Sequence, residues 1–369
     1  MSAQKTHASA PTGTFVYVSN ATDGDIASYR MQPDGALLPG ARVKAAGAVG
    51  PMAVSPDRRF LYAAVRSRPF SVHAYVIDPD TGALTPSSVS PLAESFPYIS
   101  LDRSGRYLFG ASYQGHLVSV NAVGGDGRVA AAPLQVIAVG RNAHAIRTDQ
   151  SNRFVYVPAL GSDQMFQFAF DAKSGRLSSN TPAVAQLQPL SGPRHFVTSA
   201  DNRFLYVLSE FLATVTTFAL DGATGLLSEI GSASGLPADT TLVPGAPRLA
   251  VGAAQAAPQR NRERDIWAAD IHLTPDGRFL YISERTGSTL GAFRVDSQTG
   301  GLGYLASTPT ESQPRGFAID PTSRFLVATG ENSDKIAVYV IDPTSGALSL
   351  PQKYPAGNGA NWVEIVAFP

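Results

Sequence analysis

The chain has 369 residues, with 29 basic and 29 acidic side chains and therefore no formal net charge. This balance gives no electrostatic reason to expect nucleic acid or an anionic membrane as a partner. Cysteine is absent, which excludes disulfides, thiolate metal sites and a thiol nucleophile.

The first twelve residues are mostly small and polar, and we predict that residues 1–12 form a flexible extension. They lack the apolar run of about 7 residues that a secretory signal requires, and nothing elsewhere approaches the ~18 apolar residues of a membrane span. The sequence as it stands therefore predicts a cytoplasmic protein, although removal of a signal peptide would leave the same sequence.

Seven short aromatic or β-branched segments recur along the chain, each bounded by turn-forming residues, which is the pattern of a β-strand. Their first residues are 45, 47, 47, 50, 75 and 46 positions apart. The segments are 15–17, 60–62, 107–109, 154–156, 204–206, 279–281 and 325–327. An arginine in constant register precedes all but the first, and we interpret this row as structural: Arg59, Arg106, Arg153, Arg203, Arg278 and Arg324.

A second β-type segment follows each aromatic strand, and then a tight turn and a further short strand. The turns at 78–82, 171–175, 221–225 and 342–346 each begin with Asp and end with Gly, which is typical turn chemistry. Each unit thus has four antiparallel strands in about 47 residues, the period of a β-propeller blade.

Counting the innermost strands also gives seven, provided that the C-terminus is included. These strands are predicted to begin near residues 51, 97, 144, 194, 269, 315 and 361. The N-terminal blade lacks one, whereas 362–368 is a strand with no blade after it. We therefore predict an all-β, seven-bladed β-propeller in one domain (13–369), closed by the C-terminal strand in the N-terminal blade.

The 75-residue spacing contains about 28 extra residues, which we place in a loop at 236–264 that is rich in Ala, Pro and Gly. A loop of this length over one face of the ring is either a lid or a solvated insertion without a role.

Charged residues concentrate where the ring should open. The start of each innermost strand and the end of the next strand lie at the same mouth of the central channel. These equivalent positions carry different residues in different blades, which suggests a ligand site more than a scaffold. The candidates are Arg66, His144, Arg194, Glu210, Arg285 and Arg315.

His195, Asp270 and His272 follow one to three residues further along the same inner strands. They either bind substrate or hydrogen-bond the backbone between blades. No nucleotide-binding or serine-nucleophile motif is present, and no spacing of Asp and His demands a metal. We therefore predict a metal-free site without a cofactor.

Several motifs resemble the seven-bladed propeller lactonases, specifically their bacterial 6-phosphogluconolactonase branch. They occur at 51–57, 157–160, 192–195, 267–278 and 313–317, the longest beginning Trp-Ala-Ala-Asp-Ile-His. The resemblance spans residues 15–368. In the related carboxymuconate-lactonizing enzymes, the proposed site of one His, two Arg and one Glu corresponds by position to His144, Arg194, Glu210 and Arg285.

The resemblance implies hydrolysis of 6-phosphogluconolactone in the pentose phosphate pathway. In that reading, Glu210 or His144 is the base, and Arg194 or Arg285 stabilises the oxyanion. Arg66, Arg315 or the remaining Arg holds the phosphate. The other residues expected to bind substrate are His195, Asp270 and His272. The expected partner is a small anionic lactone, and the oligomeric state, monomer or dimer, is left open. The alternatives are a lactonase or lactonizing cycloisomerase for another lactone, such as a muconolactone, and a non-catalytic binding module.

Overall fold

A computed structural model describes residues 13–248 and 262–369. The predicted extension 1–12 and the centre of the predicted loop, 249–261, lie outside these ranges. Seven four-stranded antiparallel sheets form a ring of blades, so the predicted fold class is confirmed. Within each blade the strands follow chain order from the channel outward, except in blade 1.

The strands of the first four blades are as follows. Blade 1 contains β1 (Gly13–Asn20), β2 (Asp25–Met31) and β3 (Leu37–Lys44), and blade 2 contains β4 (Val49–Val54), β5 (Phe60–Val65), β6 (Ser71–Ile77) and β7 (Leu84–Pro91). Blade 3 contains β8 (Tyr98–Leu101), β9 (Tyr107–Ser112), β10 (Leu117–Ala122) and β11 (Gln135–Ala138). Blade 4 contains β12 (Arg147–Thr148), β13 (Phe154–Ala159), β14 (Gln164–Asp171) and β15 (Arg176–Gln186), with one 3₁₀ turn at Leu160–Ser162.

The remaining strands complete the ring. Blade 5 contains β16 (Pro193–Thr198), β17 (Phe204–Ser209), β18 (Thr214–Leu220) and β19 (Leu227–Ser234). Blade 6 contains β20 (Ala268–Leu273), β21 (Phe279–Glu284), β22 (Thr289–Val295) and β23 (Leu302–Pro309). Blade 7 contains β24 (Phe317–Ile319), β25 (Phe325–Thr329), β26 (Lys335–Val340) and β27 (Gln352–Pro355), and the chain ends with β28 (Ala360–Phe368).

The C-terminal strand closes the ring as predicted. β28 pairs with β1 along its whole length, from Gly13 opposite Phe368 to Asn20 opposite Ala360. It is the inner strand of blade 1. Closure leaves the inner edge of blade 1 paired, which removes an exposed sheet edge.

The row of structural arginines joins neighbouring blades, which confirms its predicted role. Each guanidinium lies over the aromatic ring that follows it, as Arg153 does over Phe154 at 5.3 Å from the ring centroid. Four of these arginines also donate to a backbone carbonyl in the outer turn of the next blade: Arg106 to Ala172, Arg153 to Gly222, Arg203 to Ser297 and Arg278 to Pro343. The cation therefore links two blades while covering a hydrophobic ring.

A glycine at the same turn of the following blade completes each junction. Gly225, for example, has φ +74°, and a Cβ on it would overlap the ring of Phe154 in the preceding blade. Only glycine tolerates this combination of backbone angle and close approach. The equivalent glycines are Gly35, Gly82, Gly127, Gly175, Gly300 and Gly346.

The inner strands line the channel in three layers. The layer at the mouth contains Gly50, Pro97, His144, Arg194, Ala269, Arg315 and Asn361. The middle layer contains Pro51, Tyr98, Ala145, His195, Asp270, Gly316 and Trp362. The lowest layer contains Ala53, Ser100, Arg147, Val197, His272, Ala318 and Glu364, each opposite the third residue of the recurring segment in the neighbouring strand. Within each layer the residue changes between most blades, so the frame of the ring repeats and the lining of the channel does not.

Candidate active site

A cavity of about 630 Å³ opens at the mouth layer of the channel. Its wall is formed by the ends of inner strands, by the loops after the second strands, and by the described edge of the 236–264 loop. Five arginines and two glutamates line it: Arg66, Arg68, Arg248, Arg285, Arg315, Glu210 and Glu331. His144, Tyr113, Trp267 and Asn361 also lie on the wall. The excess of cations favours an anionic ligand.

Glu210 stands at the centre of two ion pairs. It follows β17 directly, while Arg285 follows β21 and Arg194 lies in β16. Glu210 Oε2 is 2.8 Å from Arg194 Nε and 3.0 Å from Arg285 Nη2. All three side chains are buried. Both ion pairs end on the same carboxylate oxygen, so the carboxylate is held from two neighbouring blades.

The two arginines differ in their access to the cavity. Arg285 lies on the cavity wall, whereas Arg194 is only 1% exposed and is not part of the wall. Burial lowers the pKa of Arg285 to about 10, a change that the negative charge of Glu210 partly offsets. Arg285 is therefore still a cation at neutral pH and can meet a ligand directly.

Trp267 lies against two cations of this wall. The guanidinium carbon of Arg285 is 3.7 Å and that of Arg248 is 3.6 Å from its ring centroid. Tyr113 donates its hydroxyl hydrogen to the backbone carbonyl of Arg248 at 2.9 Å. The described edge of the 236–264 loop is thus attached to the mouth, and it supplies one of its cations.

His144 faces the cavity as an uncharged imidazole. Burial, followed by the nearby charge of Arg194, holds its pKa well below the usual value. Its Nδ1 is buried without a hydrogen-bond partner, and its ring packs edge-on against those of Tyr113 and His195 at 5.8 and 5.2 Å. His144 therefore lies on the cavity wall outside any ion pair, whereas Glu210 takes part in two.

Arg66 and Arg315 lie in blades 2 and 7, directly after β5 and shortly before β24. Arg315 Nη1 is 3.6 Å from Glu331 Oε1. The Nε of Arg66 is buried without a hydrogen-bond partner, and its side chain packs on Gly50, where a Cβ would be 3.2 Å from its Cδ. Burial, together with the charge of Arg315, lowers the pKa of Arg66 to about 10. Among the described residues, Glu331 is the carboxylate that pairs with these two cations, so the pair keeps an excess of positive charge.

Three of the predicted site residues lie deeper in the channel. His195 and Asp270 occupy the middle layer and His272 the lowest layer, and all three line a second cavity of about 460 Å³ on the opposite side of the middle layer. His195 Nδ1 is 2.8 Å from Asp270 Oδ1, and His272 Nε2 is 3.1 Å from Asp270 Oδ2. The structure thus brings them together beneath the mouth, and their role in substrate binding remains a prediction.

The sequence prediction missed several residues of the wall. Tyr113 and Glu331 lie just after second strands, at positions equivalent to those of Arg66, Glu210 and Arg285. They are not among the candidate site residues predicted from the sequence. Trp267 was quoted only as part of a motif, although it is one of two tryptophans and directly precedes an inner strand. Arg248 had no detectable signal, because no repeat register extends into the 236–264 loop.

Neither a metal site nor a membrane helix is found in the parts of the chain that the structure describes. Within residues 13–248 and 262–369, no group of three or more His, Asp or Glu could hold a metal ion. In the same ranges, no helix is long and apolar enough to cross a membrane.

Comparisons with known proteins agree over nearly the whole chain. The family model described as "Lactonase, 7-bladed beta-propeller" matches residues 15–365. A protein of Serratia proteamaculans named 6-phosphogluconolactonase is 37% identical over 352 residues, covering 95% of this chain and 98% of that protein. A protein of the same name from Pectobacterium carotovorum is 36% identical with the same coverage.

Solved structures share the architecture. The periplasmic gluconolactonase of Pseudomonas aeruginosa superposes with a TM-score of 0.82 at 28% identity, covering 97% of this chain and 100% of that one. A protein of Bacteroides fragilis gives a TM-score of 0.83 at 22% identity, covering 98% and 99%. The second likeness, at this identity, bears on the fold alone.

Proposed function

The chain belongs to the seven-bladed β-propeller lactonase family, and from this premise we propose that it hydrolyses 6-phosphoglucono-1,5-lactone to 6-phosphogluconate, a step of the pentose phosphate pathway. The observation that carries the choice of substrate is the cavity wall, on which five arginines face two glutamates. A phosphate monoester carries a charge near −2 at neutral pH, which such a wall can neutralise. The names of the relatives support the same substrate.

His144 is the proposed base. It has no ion pair, and its lowered pKa keeps it unprotonated at neutral pH, whereas Glu210 Oε2 is engaged by two arginines. A water molecule attacks the lactone carbonyl carbon and gives a proton to His144. Arg285, which reaches the cavity, stabilises the oxyanion that forms on the carbonyl oxygen. Glu210 and Arg194 hold Arg285 in place.

Collapse of the tetrahedral intermediate completes the reaction. The bond between the carbonyl carbon and the ring oxygen breaks, and the proton on His144 is transferred to that oxygen. The product is a single hydroxy acid, whose carboxyl group then loses a proton to solvent. No covalent intermediate with the protein is needed, because water is the nucleophile throughout.

Arg66 and Arg315 are the proposed phosphate ligands. Arg315 lies in blade 7, next to the blade of Arg285, and Arg66 lies in blade 2. Both line the same cavity as His144 and Arg285, so one sugar phosphate lactone could meet the phosphate ligands and the reacting groups at once. Arg66 retains an unsatisfied buried Nε, and arginine can bind phosphate through two parallel hydrogen bonds. His195, Asp270 and His272, in the second cavity, would support this site from below.

The competing function is hydrolysis or formation of an unphosphorylated lactone. The similar protein of Pseudomonas aeruginosa is named a gluconolactonase, which supports this alternative. A non-catalytic binding module is less compatible with charges concentrated inside the mouth.

A cytoplasmic location is proposed together with the phosphorylated substrate, because a doubly charged sugar phosphate does not cross a bilayer unaided. Cell fractionation would test that location.

A lactone panel tests the proposed function. Purified protein is assayed with 6-phosphogluconolactone, gluconolactone and muconolactone, as wild type and as Arg66→Ala. Loss of a charged hydrogen bond costs about 1.5–3 kcal/mol, so we expect KM for the phosphorylated lactone to rise about 10- to 100-fold in the variant. KM for gluconolactone should change less than about twofold.

Arg59→Ala is the matched control, since Arg59 belongs to the structural row and is exposed outside the cavity. It should leave both KM values unchanged. Faster turnover of gluconolactone or muconolactone than of 6-phosphogluconolactone by the wild type would overturn the proposed substrate.

A further inference from the structure

We propose that Asp270 and His195 are positioning residues, which hold Arg194 and through it the Glu210 carboxylate in the reacting geometry. Neither residue lines the mouth cavity. The inference rests on the proposed function, because it concerns the same reaction. It assigns these two middle-layer residues a role other than direct contact with substrate.

Asp270 is fixed by four hydrogen bonds to its carboxylate. Oδ1 accepts from the backbone N–H of Ile271 at 3.0 Å and faces His195 Nδ1 at 2.8 Å. Oδ2 faces His272 Nε2 at 3.1 Å and accepts from the backbone N–H of Phe317 at 3.3 Å. Burial alone would raise its pKa, but these donors hold the pKa well below its usual range. The carboxylate is thus an ionised, immobile acceptor.

Asp270 in turn determines the orientation of His195. A carboxylate can only accept, so the ring must donate through its Nδ1–H. Three aromatic rings from other blades enclose the imidazole, at 4.9 Å for Tyr98, 5.2 Å for His144 and 6.0 Å for Trp362. Burial, followed by the charge of Arg194, lowers the pKa of His195 to about 3. His195 is therefore neutral, with one tautomer and one ring position.

Arg194 rests on the face of this ring. Its Nη1 is 3.1 Å from His195 Nε2 and 3.4 Å from His195 Nδ1. Two such similar distances place the nitrogen over the ring, because an in-plane hydrogen bond to one ring nitrogen would leave the other much farther away. A neutral aromatic face supports a cation, whereas a protonated imidazole would repel it.

The remaining groups of Arg194 point to the reacting cluster. Nη1 also donates to the backbone carbonyl of Ala269, and Nε faces Glu210 Oε2. Arg285 and Arg315 are close enough to destabilise the charge of Arg194, so the cation needs a support that carries no positive charge. The chain of contacts Asp270–His195–Arg194–Glu210 runs from the middle layer to the cavity wall, and Arg194 is not itself part of that wall.

A double-mutant cycle tests whether Asp270 acts through Arg194. The variants are Asp270→Asn, Arg194→Lys and the pair, with His195→Phe as a second route, since phenylalanine keeps a ring face but loses the Nδ1–H. Misplacement of a reacting group by about 1 Å can cost about 100-fold. We expect Asp270→Asn and His195→Phe to lower kcat at least tenfold, with KM changed less than twofold because Arg66 and Arg315 are untouched.

In the Arg194→Lys background, Asp270→Asn should cost less than twofold, since groups that act as a unit are not additive. Glu364→Gln is the matched control: it is also a change from carboxylate to amide on the wall of the second cavity, but the hydrogen bond of Glu364 is to Trp362 Nε1 and not to Arg194, so kcat should stay within twofold of wild type. Thermal unfolding checks that each variant is folded. If Asp270→Asn does not fold, His195→Phe replaces it in the double-mutant cycle with Arg194→Lys.

Equal costs of Asp270→Asn in both backgrounds would overturn the proposal, as would an equal loss in Glu364→Gln. A rise in KM at constant kcat would assign the residues to substrate binding instead. The cycle is measured with whichever lactone the wild type hydrolyses fastest. A wild type that prefers another lactone therefore counts against the proposed substrate only, and leaves the positioning role to be decided by the cycle.

Discussion

At the scale of single side chains, the arginines fall into two groups with opposite surroundings. Those of the structural row are mostly exposed and each lies over a neighbouring aromatic ring. Those of the mouth range from buried, as Arg194 and Arg285 are, to exposed, as Arg68 is, and the pKa values of Arg66 and Arg285 both fall to about 10. Burying cations together costs free energy unless an anion joins them. Glu210 and Glu331 join some of these cations, but five arginines against two glutamates on the cavity wall leave room for an anionic ligand.

His144 should give the reaction an unusual pH dependence. Because burial holds its pKa well below 6.5, the unprotonated base persists as the pH falls through 6.5. We expect kcat at saturating lactone to stay level from pH 7.5 to below 6, whereas a solvent-exposed histidine would lose activity near 6.5. Measuring kcat avoids the titration of free substrate. His144→Ala should lower kcat about 10²- to 10⁴-fold. An acid limb centred near pH 6.5 would contradict the assignment.

Repeat register alone could identify most charged residues of the mouth, and it did so for Arg66, His144, Glu210, Arg285 and Arg315. It could not show which of them remain available to a ligand. The register treats Arg194 as a mouth residue like Arg315, yet Arg194 is buried, and its contacts are with Glu210, His195 and the Ala269 carbonyl instead of the cavity. Availability depends on contacts between blades, which a one-dimensional pattern does not contain.

At the scale of elements, the junction between blades is a repeated three-part contact. The arginine of one blade covers its own aromatic ring, and the glycine turn of the next blade packs on that ring. Tyrosine hydroxyls reinforce several junctions; Tyr156 donates to the carbonyl of Gly225 at 2.8 Å. The junction explains why the sequence repeats most strongly far from the mouth. Packing at each junction requires the same arginine, aromatic residue and glycine.

Gly225→Ala should be much more costly than Gly277→Ala. Both glycines have positive φ, +74° and +73°, so both variants incur the backbone strain of about 1–2 kcal/mol. Only at Gly225 would the new methyl overlap a ring, that of Phe154, whereas at Gly277 nothing lies within 4 Å. Overpacking adds about 1–3 kcal/mol. Urea denaturation should show this difference in unfolding free energy, and equal costs would contradict the packing role of the turn.

The inner strands were predicted less accurately than the aromatic strands. The strand of blade 4 was expected to begin near His144, but β12 contains only Arg147 and Thr148. Pro158 stands opposite His144 in the neighbouring strand, where the His144 N–H donates to its carbonyl at 3.0 Å. Proline has no N–H to return, so the ladder is interrupted there. The interruption lies beside the proposed base, and the repeated blade pattern does not predict it.

At the scale of the whole molecule, stability depends on one non-covalent closure between β1 and β28. A disulfide across it can be tested without interference, because the chain has no cysteine. Thr14 and Ala367 are directly paired and partly exposed. A Thr14→Cys/Ala367→Cys bond would enclose nearly the whole chain, with an entropic gain of about 6 kcal/mol on the chain-entropy relation.

The control is a disulfide within one hairpin, Ala219→Cys/Ser228→Cys, whose residues are also paired. The same relation gives about 3 kcal/mol for this short loop. We expect the difference in Tm between oxidised and reduced protein to be larger for the ring-closing bond. A hairpin bond that stabilises as much would show that opening of the ring does not limit unfolding.

The three channel layers give this architecture a property that neither the junctions nor the closure has by itself. Each layer has seven positions, one per blade, around the channel. Neighbouring blades meet at the periphery, through the arginine and glycine junctions, and also at the inner strands, where His195 pairs with Asp270 and Ser100 donates to the Ile146 carbonyl. The residues that differ between blades thus lie at the channel, whereas the repeated junctions lie outside it. We expect that a small set of substitutions at the channel would change which lactone the protein accepts.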